Sequence, residues 1–322
     1  MWQVAAPRMI PCVLVLATLT LGACTSAPSL SGGAPRLSGT AGGPGGAGTP
    51  SPSLATLTAD AYKGELDTRH DALSDAIKSV AAARGLKSLR QRVGMAEEEM
   101  LGAADELAAL APPAEVRAQH DAYVASMRGL ATELGGATGK VGSGGLCTSS
   151  AVLTDVRGAL GDLDKAGETL QEAGGYPADV VSVKAGGKKT RRLGNGHYLR
   201  KGGLGGRSSL QIHNGGSRDA VVNVMRGKSK VISVYVRKKA KFKIPGMRDG
   251  TYKIYFTSGV DWDGKSRAFT RDCSFKRFQK SVKFKTTYTS TQILWHDWRI
   301  TLHAITGGNA RTSEVDPDDF PG

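Results

Sequence analysis

Near residue 184 the apolar residues of this chain change their repeat from alternating steps of three and four to steps of two, and the charge changes sign at the same place. The first repeat belongs to helices that bury one stripe, the second to strands that bury one face. Residues 53–183 hold 12 basic and 19 acidic side chains, a net −7, whereas residues 184–322 hold 29 and 10, a net +19. A chain of 322 residues has the length of about two domains. The expected fold is therefore α+β and multidomain, an N-terminal antiparallel helical bundle over 53–183 followed by an all-β antiparallel sandwich over 208–322.

The helical half reads as four amphipathic segments. Tyr62, Leu66, His70, Leu73, Ile77 and Val80 make the first stripe. After Gly85, Leu89, Val93, Ala96, Met100, Ala103, Leu107 and Leu110 make the second, which Pro112 and Pro113 end. The third uses Val116, His120, Tyr123, Met127, Leu130 and Leu134, and a glycine-rich loop is expected from Gly135 to Gly145. Leu153, Val156, Leu160, Leu163, Gly167 and Leu170 form the fourth.

Residues 184–207 contain eight glycines, eight basic residues and no acid, the composition of a basic linker. Gly202 to Gly206 lack the lysine and hydroxyl of a phosphate loop. Beyond them Leu210 and Ile212, Val222 and Val224, Ile232 to Val236, Phe242 and Ile244, and Tyr252 to Phe256 alternate with polar neighbours. Trp298, Ile300, Leu302 and Ala304 share the face of a final strand.

The beginning of the chain supplies an address. An apolar run at residues 9–21 is too short for the roughly 20 residues that span a bilayer, and it follows the single charge Arg8. It ends in Leu21-Gly22-Ala23-Cys24, which resembles the lipobox of bacterial lipoproteins. The resemblance implies a signal peptide at 1–23, diacylglycerol on the Cys24 sulfur, and an extracytoplasmic, lipid-anchored position. Residues 24–52 would then carry the lipid and form a flexible tether with a mean span of about 30 Å. With Cys12 lost with the signal and Cys24 lipidated, Cys147 and Cys273 remain as the expected disulfide.

Leu210-Gln-Ile-His-Asn-Gly-Gly216, Ile244-Pro-Gly-Met-Arg-Asp-Gly-Thr-Tyr252, Gly259-Val-Asp-Trp-Asp263 and Phe269-Thr-Arg-Asp-Cys273 resemble a module of secreted and membrane proteins of high-GC Gram-positive bacteria. The match covers about the last 115 residues. It implies no activity and transfers no functional residue.

Few side-chain groupings carry chemistry. His296, Asp297 and His303 are close in sequence, but alternation sends the first two to opposite faces of a strand, a poor start for a zinc site. His70 and His120 sit on helical stripes, where Asp67 and Arg117 stand in place of the glutamates of a carboxylate metal site. Asp261-Trp262-Asp263-Gly264 lacks the remaining ligands of a calcium loop. Trp262, Trp295 and Trp298 would stack on sugars if exposed together, and otherwise belong to the core. Lys239, Lys241, Lys243, Lys283 and Lys285 are expected on the solvent side of two strands, either guarding an edge or forming an anion-binding face.

These observations lead to an expectation of a non-enzymatic binding or structural lipoprotein of the cell envelope, without metal or other cofactor. Its partners would be the membrane, through the anchor, and an anionic wall polymer or an envelope protein. Nucleic acid is disfavoured by the address. The alternatives are a metal-dependent hydrolase using His296 or His303 and a glycan-binding module using exposed tryptophans.

Overall fold

The computed structural model describes residues 55–303 and 311–321. The expected signal peptide and tether, with Cys24 and Ala304, lie outside the described residues. Five α-helices precede the strands among them. Helices α1 (Ala59–Ala82), α2 (Leu86–Ala108) and α3 (Arg117–Gly142) are followed by α4 (Ser149–Asp155) and α5 (Arg157–Gly174).

Local chemistry sets the helix ends. Thr58 caps α1 by accepting the Ala61 amide proton at 3.2 Å, and Thr148 does the same for α4 through Ala151. Gly175 closes α5 in the left-handed conformation. The stripes read from the sequence are buried, Tyr62, Leu66, Leu73 and Ile77 against Leu89, Val93, Met100 and Leu107 among others. Each large apolar side chain so buried contributes roughly 1.5–3 kcal/mol before entropy is counted.

Two helical expectations change. The glycine-rich stretch after Leu134 is the end of α3, not a loop, because Ala137 and Val141 continue the buried stripe and their packing outweighs the poor propensity of glycine. The fourth helix is divided at Val156, whose side chain is buried in the same core as both pieces.

The β half consists of two facing sheets, as the period of two requires. The large one runs in the order β1 (Tyr198–Lys201), β4 (Ser229–Val236), β3 (Asp219–Arg226), β6 (Gly250–Asp263), β7 (Ala268–Phe278), β12 (Thr312–Glu314), and β8 (Val282–Phe284) also pairs with β6. The small sheet has β2 (Leu204–Asn214) between β11 (Trp298–Thr301) and β5 (Ala240–Met247). Val222, Val224, Ile232, Val234, Ile254 and Phe256 share one core with Leu210, Ile212, Ile244, Met247 and Ile300. Most pairings are antiparallel as expected, but β11 runs parallel to β2, with Ile300 opposite Ile212. A separate ribbon joins β9 (Thr286–Tyr288) to β10 (Ile293–Trp295).

The stretch expected to be a linker, 184–207, is largely built into this fold, so the sandwich begins before residue 208. It supplies β1 and the start of β2, and Leu193 and Leu199 pack on Val221, Tyr235, Trp262 and Phe269 on the outer side of the large sheet. Consecutive arginines hold it there. Arg191 donates to both Asp261 oxygens at 2.9 and 2.8 Å and to Asp263 at 2.7 Å, while Arg192 grips Asp219 with two bonds of 2.6 and 2.7 Å. Asp219 and Asp261 are buried, and such carboxylates need charged partners. Composition alone showed the arginines and not their destinations.

Bundle and sandwich are joined by more than the connecting chain. Residues 144–147 lie along β7: the Cys147 amide donates to the Thr270 carbonyl and the Cys273 amide to the Gly144 carbonyl, each at 2.9 Å. Gly144 has φ +76°, and a Cβ there would stand 2.7 Å from the Cys273 oxygen, so the position requires glycine. Cys147 and Cys273 stand at disulfide distance, with Cα atoms 6.5 Å apart. Phe320 packs between Tyr255 and Phe275, and Asn223 donates to the Pro321 carbonyl at 2.7 Å.

Candidate anion-binding face

Alternation in β2 sends Leu210 and Ile212 into the core and Gln211 and His213 outward. In β5 it sends Ile244 inward and Lys241 and Lys243 outward, and the register sets Lys241 beside His213 and Lys243 beside Gln211. On the other side β11 places Arg299 beside Gln211 and Thr301 beside His213. Arg299 donates to the Gln211 side-chain oxygen at 2.8 Å, which orients the guanidinium across the sheet.

His303 completes the upper end of this face. Its Nδ1 accepts the Gly215 amide proton at 3.0 Å, and its ring meets that of His213 edge-on, with centroids 5.3 Å apart. A Cβ on Gly215 would lie 2.0 Å from the His303 ring, so only glycine admits the histidine. Lys239 donates to the Gly215 carbonyl at 2.7 Å. It belongs to the turn before β5, with φ +59°, and not to the strand where alternation had put it.

Electrostatics give the face its character. The His213 pKa lies below the ordinary histidine value, first because the ring has lost hydration, then because Lys241, His303, Arg299 and Lys239 oppose a further positive charge. Among the described residues none of Lys239, Lys241, Lys243, Lys283, Lys285 and Arg299 forms an ion pair, in contrast to Arg191 and Arg192 behind the large sheet. An anion placed over His213 would meet several uncompensated donors.

The structure divides the five lysines. Lys241 and Lys243 lie on β5 at one edge of the small sheet. Lys283 lies on β8, where its carbonyl accepts the Trp298 indole proton at 2.9 Å, so it and Lys285 stand beside β11 at the opposite edge. The residues that sequence reasoning missed are His213, Arg299 and Gln211. Their outward direction was readable from the period of two, but the parallel pairing that brings Arg299 to Gln211 across 88 residues has no local signal.

The remaining sequence candidates go to separate places. Asp297 accepts the Ser209 amide proton at 2.6 Å, His303 is held by Gly215, and His296 meets the Lys285 carbonyl at 3.4 Å, so the three go to different partners. His120 is buried with Tyr62 hydroxyl 2.8 Å from its Nδ1, and burial lowers its pKa; His70 meets the Asp179 carbonyl at 3.1 Å. Asp261 and Asp263, the trace of a calcium loop, are taken by Arg191. Trp262 is core, packed on Phe269 at 5.1 Å, whereas Trp295 and Trp298 are exposed, so the three tryptophans do not form one platform.

No family model, curated protein or solved structure matches the chain. The functional reading accordingly rests on the residues of this face.

Proposed function

We propose that this is a membrane-anchored extracytoplasmic lipoprotein that acts without catalysis, its sandwich holding an anionic polymer of the cell envelope on the outer face of the small sheet. The observation that carries the reading is the gathering of Lys239, Lys241 and Arg299 around His213, with no carboxylate paired to any of the three cations among the described residues. Leu21-Gly22-Ala23-Cys24 supports the address, and the +19 of residues 184–322 supports the sign of the ligand. A cationic face tethered near a dense array of phosphates gains from proximity what each weak contact lacks.

The test is retention of the unit Pro52–Gly322 on an immobilised phosphate-rich wall polymer and on a neutral glycan. Retention should be selective for the phosphate polymer and fall steeply between low and high salt, since exposed charges are screened over about 10 Å at 0.1 M. Changing Lys241, Lys243 and Arg299 together to Gln should cost about tenfold or more in affinity. A bound anion favours protonated His213, so retention should also rise as pH falls below the ordinary histidine value. Equal retention on the neutral glycan, or indifference to salt, would overturn the electrostatic reading.

The address has its own expected result. Cells expressing the whole chain should incorporate labelled fatty acid into it, and Cys24→Ser should abolish the label. An unlabelled wild-type protein would reject the lipid anchor.

A further inference from the structure

Residues 286–295 run without a charged side chain, inside a half of the chain that is strongly basic. They form the β9–β10 ribbon, which belongs to neither sheet of the sandwich. The register pairs Tyr288 with Ile293 and Trp295 with Thr286, placing Tyr288, Ile293 and Trp295 on one side and Leu294 with Thr287 on the other. Both sides are bare: Tyr288 is 69% exposed, Leu294 50%, Trp295 48% and Ile293 37%, with Trp298 at 41% just beyond. A two-stranded ribbon alone is marginal in water, and this one spends its large apolar residues on solvent.

The root of the ribbon is fixed. The Asp249 carboxylate accepts both the amide and the hydroxyl of Thr286 at 2.8 Å, and Trp298 is held through its bond to the Lys283 carbonyl. The tip satisfies its own backbone, with Thr289 amide to Gln292 carbonyl and Gln292 amide to Thr289 hydroxyl, each at 2.9 Å. Exposed cations flank the root: Lys283 and Lys285 before it, Arg299 after it. Two acids stand nearby, and both are engaged: Asp249 by Thr286 and Asp297 by the Ser209 amide.

We infer that this ribbon is a membrane-insertion hairpin, which seats Tyr288, Ile293, Leu294 and Trp295 in the interfacial layer of an anionic phospholipid bilayer while Lys283, Lys285 and Arg299 meet the headgroup phosphates. Three features select a bilayer over a protein groove. Apolar residues on both sides need an environment that surrounds the ribbon, which a lipid layer provides and a one-sided groove does not. Tyrosine and tryptophan, with an apolar ring and a polar edge, are suited to the headgroup boundary. The separation of an uncharged tip from a basic root matches the layering of acyl chains beneath phosphates, and an apolar insertion of about 5–10 Å is enough for such binding. The ribbon, Lys283 and Lys285 take no part in the proposed polymer site, and Arg299 on β11 borders both surfaces.

Tryptophan emission tests it, because Trp295 and Trp298 are exposed and the third tryptophan of Pro52–Gly322, Trp262, is buried. Adding phosphatidylglycerol vesicles should shift the emission to the blue, and lipids brominated in the acyl chain should quench it. Phosphatidylcholine vesicles should bind far more weakly. Ile293→Ser with Leu294→Ser, which keeps both reporters, should weaken vesicle binding by about tenfold for each side chain removed and abolish the shift. Lys283→Gln with Lys285→Gln should lower affinity for the anionic vesicles alone. Lys241→Gln with Lys243→Gln should leave the blue shift in place. An emission unchanged by anionic vesicles, a shift surviving the Ser substitutions, equal binding to neutral vesicles, or the same shift on a soluble glycan would each overturn the hairpin assignment.

Discussion

Replacing Cys273 with Ser should lower the stability of the Pro52–Gly322 unit by up to about 5 kcal/mol, the largest effect expected of any single substitution. The cysteines are 126 positions apart in sequence, and in the chain-entropy argument a closed loop of that size restricts the unfolded state severely. The folded state should change little, because the backbone ladder between residues 144–147 and β7 does not depend on sulfur. Denaturant titration of oxidised and reduced protein measures the difference, and thiol titration of the denatured, unreduced protein counts the bond. No free thiol is expected. Two free thiols would reject the disulfide.

The second large effect is Arg192→Met, expected to destabilise by about 2–3 kcal/mol, less than a fully buried pair because the guanidinium is partly exposed. The substitution leaves buried Asp219 with only the Tyr235 hydroxyl and the Lys238 amide. Acid titration supplies the sign. Burial pushes the Asp219 pKa up, but Arg192, Tyr235 and Lys238 more than offset it and hold the group below the ordinary carboxylate range; Arg191 and Thr270 do the same for Asp261. A carboxyl whose folded pKa is depressed contributes stability above its unfolded value, about 3.9, and loses it as pH falls through the folded value. Wild type should therefore lose stability below about pH 4, and Arg192→Met should lose less over the same window. An identical acid dependence in the two proteins would mean that Arg192 does not set the Asp219 pKa.

Period carried most of what was legible in the sequence. Stripes such as Leu89-Val93-Met100-Leu107 and pairs such as Val222-Val224 announced their elements because burial repeats with the backbone. Where tertiary partners decide, local signals misled. Gly135 to Gly142 read as a loop and form a helix end, since Ala137 and Val141 had a core to enter. Arg191 and Arg192 read as linker charge because their acids lie on β3 and β6, far along the chain. The lysines were visible as a composition, but whether Lys241 and Lys283 share a face depends on strand order, which no short window contains.

A Cys147–Cys273 disulfide would also change how a pull on the molecule is carried. Tension entering through the bundle would pass at Cys147 directly into β7, bypassing α4, α5, the segment held by Arg191 and Arg192, and the first six strands. With the bond closed, those segments are slack to a load between the bundle and the end of the sandwich. Opening it would place the residues between the two cysteines, 148–272, in series with the load, roughly 400 Å of contour once they unfold. A thiol reagent that opened the bond would thus act on the reach of this protein under force as well as on its stability.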